Sequence, residues 1–157
     1  MKRFFSILIA IVASAFMAAA QPRGLGVRAG FEYQVSYQHT LSERGHFLEV
    51  DLGYQLISTT VNAACAYDFV VARPEWTRKG QWGVYVGPAV KAGFAGVGYC
   101  VSVGSQIGLE YTFEFPLQIS IDTRPAVGIA VINRRVSFYG GESSLGGVPC
   151  LSIRYRF

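Results

Sequence analysis

The chain has 157 residues, 14 Lys and Arg against 10 Asp and Glu, a formal net charge of +4, and is 51% hydrophobic and 15% charged. That length fits one domain, and the modest charge excess gives no warrant for nucleic-acid binding. Beyond residue 20 there is no run of 18 apolar residues, which excludes a membrane protein built of helices.

Residues 1–20 read as a signal peptide. Lys2 and Arg3 form its basic start, Phe4 to Phe16 its short apolar core, and Ala18-Ala19-Ala20 its small-residue cleavage site. The mature domain is then 21–157. Lys2 and Arg3 are the only charges removed, so it keeps 12 of the 14 basic and all 10 acidic residues. All 18 Gly lie in this part.

From there, apolar and polar residues alternate in segments separated by turn residues. The first predicted strand runs from Gly26 to Gln38, with Val27, Ala29, Phe31, Tyr33, Val35 and Tyr37 on one face. Ser42-Glu43-Arg44-Gly45 turns the chain into the second, Phe47 to Leu56. The third runs from Val61 to about Ala72. Arg73 to Gln81 is a loop, with Pro74, Gly80 and four charges. The fourth strand begins at Trp82 and implies a bulge or kink at Pro88. The fifth, Val97 to Tyr111, alternates most cleanly. The sixth starts at Leu117 and runs on past Pro125 to Val131. A short seventh covers Val136 to Gly140, a Gly/Ser loop follows, and the eighth is Val148 to Phe157.

The face opposite the apolar one is Gly, Ser and charges of both signs. A soluble sandwich buries its apolar face and exposes the polar one. A narrow barrel in a membrane does the reverse, with small residues and a few long polar ones filling the inside. The expected fold is therefore all-β: a transmembrane antiparallel up-and-down β-barrel of eight strands. A soluble exported β-sandwich is the alternative fold. Six acids (Glu32, Glu49, Asp51, Asp68, Glu110 and Asp122) would share the barrel interior with five bases (Arg28, Lys91, Arg124, Arg154 and Arg156). Pairing is expected, because an unpaired buried charge costs several kcal/mol or more.

Trp82 and Phe94 are 12 residues apart on the outward face, and so are Tyr99 and Tyr111. At roughly 3.3 Å per residue and a tilt near 40°, that spacing rises about 30 Å, close to the height of an apolar belt with its two aromatic girdles. These four are the expected membrane-interface aromatics. An even strand number returns both termini to one side, the periplasm. By the same parity, the loop 73–81 faces outward from the cell, with Trp76 as a girdle anchor.

The final strand carries the most specific signal: Leu151, Ile153, Tyr155 and Phe157 alternate with Ser152, Arg154 and Arg156, and the chain stops on an aromatic. In this it resembles the small eight-stranded outer-membrane barrels of Gram-negative bacteria, the OmpA/OmpX-type architecture, over essentially all of 21–157. The resemblance implies an outer-membrane location, contact with lipid, a terminal strand recognised by the barrel-assembly machinery through those four residues, and no particular activity. The three Cys and short loops depart from it, and short loops speak against an adhesin.

The remaining chemistry is sparse. Cys65 falls outward, and Cys100 and Cys150 inward, near opposite ends of the barrel, so small apolar fillers are expected rather than a disulfide. No Cys or His pair has ligand spacing on a common face, so neither metal nor cofactor is expected. His39 and His46 flank Ser42 and Glu43, which raises a catalytic triad against the simpler reading of a polar turn. The expectation is a monomeric, non-catalytic barrel with a structural or accessory envelope role. A lipid-modifying barrel enzyme and a minimal pore are the alternatives.

Overall fold

The structure, a computed structural model, describes residues 23–55, 59–96, 98–133, 135–140 and 147–157. The expected signal peptide lies outside them. Ten strand segments are present: β1 (Arg23–Ala29), β2 (Tyr33–Thr40), β3 (Phe47–Gln55), β4 (Thr60–Ala72), β5 (Gln81–Ala95), β6 (Gly98–Thr112), β7 (Leu117–Thr123), β8 (Ala126–Ile132), β9 (Arg135–Tyr139) and β10 (Cys150–Arg156).

These segments make eight staves. From β1 to β6 each strand pairs antiparallel with the next. β7 and β8 both pair with β6 in one register, Ile107 opposite Thr123 and Gly104 opposite Ala126, so they are two halves of one stave. The proline between them lacks an N–H, yet its carbonyl accepts the Ser105 N–H at 3.1 Å, and the ladder continues. β10 pairs with β7 on one side and β1 on the other, closing the barrel. β9 pairs with β8 on the same edge that β10 occupies lower down.

Eight staves match the expected number, but two boundaries differ. The predicted first strand is a hairpin, β1 and β2, turning at 30–32. Its register sets Ala29 opposite Tyr33, so even-numbered residues face inward on both arms. A turn that preserves parity leaves no mark on a period-two pattern. At the other end, the predicted seventh and eighth strands are two pieces along a single edge. The extra turn also reverses the loop at 73–80. It lies at the end of the barrel that holds Arg23 and Phe157, the outermost described residues (called the terminal end below), against the turn 113–116: Tyr111 donates to the Lys79 carbonyl at 2.9 Å, and the Arg156 N–H donates to the Pro116 carbonyl at 3.1 Å.

Pro88 sits at an interruption. The β4–β5 ladder skips the rungs at 67–68, and its register slips between Val70 and Ala72. The wall is uneven: β1 and β10 have 7 residues each, β5 and β6 have 15. At about 2.5 Å of height per residue in a tilted strand, that difference is about 20 Å of wall.

The usual partition of side chains is inverted. Among the described residues, Arg, Glu, Asp, Gln and Ser are buried throughout the interior, joined by few apolar groups: Phe47, Ala64, Ala66, Tyr85, Ala89 and Cys150. Leu25, Val35, Leu52, Val101, Val127 and Ile153 are exposed all round the outside.

Candidate functional site

The candidate site is the barrel interior. Inward register follows directly from alternation, and glycines make room for long neighbours. A Cβ on Gly108 would collide with the Tyr85 ring, and one on Gly83 would lie 2.8 Å from Glu110 Oε1. Tyr85 and Glu110 therefore lean across their neighbouring strands.

At the centre, Arg154 is fully buried. Its Nε donates to Ser36 Oγ at 3.0 Å, Nη1 to Ser120 Oγ at 2.8 Å and Nη2 to Glu49 Oε1 at 2.7 Å. Arg124 reaches the same Glu49 oxygen at 2.8 Å and lies 2.5 Å from Asp51 Oδ2, while its Nε donates to Gln106 Oε1 at 2.6 Å. Beside them Arg28 pairs with Asp122, which also accepts from the Tyr85 hydroxyl at 3.3 Å. Phe47 packs edge-on against Tyr85, ring centres 5.1 Å apart. Nearer the rim opposite the termini, Lys91 pairs with Glu32.

Eight of the eleven predicted charges thus meet in ion pairs. The other three do not, among the described residues. Glu110 accepts from Gln118 Nε2 at 2.6 Å, and Arg156 Nη1 donates to Thr112 Oγ1 at 3.4 Å. Asp68 is fully buried, and neither carboxylate oxygen has a hydrogen-bond partner among the described residues. The amides and hydroxyls that join the charges, Gln34, Ser36, Asn62, Gln106, Gln118 and Ser120, were not among the expected site residues. Their inward register was the available signal.

This layer divides two cavities. One of about 280 Å³ lies at the terminal end, bordered by Arg73, Glu110 and Arg156. The other, about 310 Å³, lies at the opposite end. Cys100 and Cys150 both border this second cavity rather than sitting at opposite ends of the barrel, and all three cysteines are free.

On the outside, Trp82 stands opposite Tyr111 at one end of the β5–β6 hairpin and Phe94 opposite Tyr99 at the other. The first pair belongs to a row of ring contacts, Trp76–Trp82–Tyr111–Phe113–Phe115, with centres 4.7–5.3 Å apart. Leu151, Ile153, Tyr155 and Phe157 are all exposed along β10 and its end. Phe157 exchanges two backbone hydrogen bonds with Arg23, at 2.9 and 3.0 Å, on the closing seam.

The residues around Ser42 do not form a relay. Ser42 Oγ accepts from the backbone N–H of His46, His46 Nδ1 accepts from the Val70 N–H, and His39 Nδ1 lies 3.4 Å from the Tyr37 hydroxyl.

Comparison with protein-family models, curated proteins and solved structures gives no match.

Proposed function

We propose that the chain is a non-catalytic, non-conducting outer-membrane β-barrel with a structural or accessory envelope role, held by lipid outside and by a charge network inside. The observation that carries this reading is the inverted partition: a closed wall whose buried side chains are charged and whose exposed ones are apolar. In water, an apolar belt of that extent would far exceed the few hundred Å² that a soluble monomer exposes. In a bilayer it faces acyl chains, with Trp82, Tyr111, Phe94 and Tyr99 at the two interfaces. Both termini and the 73–80 loop then face the periplasm, and the assembly machinery receives β10.

The absence of conduction follows from the central layer. Arg154, Glu49, Arg124 and Gln106 are buried side chains bonded across the lumen, and an eight-stranded barrel is only just wide enough for side chains to fill. Purified barrel in planar bilayers is expected to give a flat current baseline. Discrete, reproducible conductance steps would overturn the plugged reading and favour a minimal pore.

A further inference from the structure

We infer that the cavity opposite the termini binds a long-chain carboxylate or the ester end of a lipid acyl chain, holding the head oxygens on Asn62 and Lys91 and the alkyl chain along the β6–β8–β9 wall. The site needs only the barrel; a membrane origin for the ligand rests on the proposed function.

Three observations converge. The cavity, about 310 Å³, lies within the range of small-ligand sites. Its lining is two-sided. Polar groups from β2, β4 and β5 (Gln34, Asn62 and Lys91) lie on one side; on the other, β8 presents Ala126, Ala130 and Ile132, with Arg124 and the hydroxyls of Ser102 and Tyr139 at its borders. β8 is paired there with β6 and β9, Cys100 opposite Ala130 and Ala130 opposite Ser137.

The second observation concerns unmet donors. Asn62 is buried, 3% exposed, and its Oδ1 accepts from Gln34 Nε2 at 3.0 Å, but its Nδ2 has no partner among the described residues. Gln34 cannot turn to supply an acceptor, because its own oxygen accepts from Arg28 at 2.8 Å. Lys91 borders the same cavity from β5; its side chain is 31% exposed and pairs with Glu32. An ammonium has three donors, so it keeps hydrogens for a second oxygen. A carboxylate or ester carbonyl that reaches the Asn62 amide would give its Nδ2 a partner and Lys91 a second one. A plain hydrocarbon satisfies neither.

The third is position. The cavity lies at the end of the barrel rather than in its middle: Phe31 and Glu32 of the β1–β2 turn border it, and so does Tyr139 at the end of β9.

The test uses the mature barrel in phosphatidylcholine nanodiscs, with methyl-labelled alanine and carboxyl-labelled laurate or dodecanol as probes. Unchanged gel mobility of each variant shows that it has folded. Cross-peaks from the Ala126 and Ala130 methyls to the laurate chain identify a free carboxylate as ligand; cross-peaks to the disc's own acyl chains identify the lipid ester. Asn62→Leu weakens laurate binding about tenfold, the cost of one lost hydrogen bond to a charged group. Ala130→Trp abolishes it while leaving gel mobility intact. Dodecanol binds more weakly than laurate. Methyls without cross-peaks to either chain would overturn the proposal, and so would laurate signals identical in wild type and Ala130→Trp. Equal affinity for laurate and dodecanol would overturn the head assignment.

Discussion

Arg154→Ala lowers the stability of the folded barrel by about 3 kcal/mol, at the lower end of what breaking a buried ion pair costs. The guanidinium is fully buried and spends its donors on Ser36, Ser120 and Glu49. Alanine leaves these groups facing one another without water. The loss stays at the low end because Glu49 keeps Arg124 at 2.8 Å and Gln106 at 3.4 Å. The outer face is untouched, so the variant still assembles. Urea titration of wild type and variant in lipid vesicles, read by the gel mobility of the folded form, measures the difference. Arg154→Lys recovers only part of it, since a point charge cannot reach three acceptors in a fixed fork. An unchanged midpoint for Arg154→Ala would show that the central layer does not hold the barrel together.

Deleting Phe157 produces a different kind of defect. The residue contributes two backbone hydrogen bonds to the seam between β10 and β1, together about 1–3 kcal/mol. That is too little to unfold a closed barrel, so the purified variant refolds in detergent. If assembly machinery receives β10 as proposed, with Phe157 part of what it recognises, the assembled fraction in cells falls sharply, out of proportion to the small loss of stability. Comparing the two settings separates recognition from stability. Assembly in cells equal to wild type would remove any signalling role from Phe157.

Alternation was enough to separate the two faces of the described staves, because each pleat sends successive side chains to opposite faces. It was enough even across Pro125, where one stave continues with its register intact. What it could not reveal was a turn that keeps parity. Gly30 to Glu32 reverses the chain while Ala29 and Tyr33 stay on the same face, so the polarity of the 73–80 loop came out inverted. The membership of the interior network was legible for the same reason that its pairing was not. Asp122 meets Arg28 across 94 residues, and Lys91 meets Glu32 across 59. Those partners depend on the tilt and stagger of the closed barrel, which no single segment encodes. The second cavity was equally hidden, because its lining comes from β1, β2, β3, β4, β5, β6, β8, β9 and β10 at once rather than from any motif.

The proposed membrane residence of this inside-out barrel is tested most directly by gel mobility of the chain recovered from fractionated Gram-negative cells, heated and unheated. Release from the membrane fraction only with detergent is expected, with an unheated band that migrates away from the boiled one. Recovery in the soluble periplasmic fraction, with one mobility before and after boiling, would contradict it.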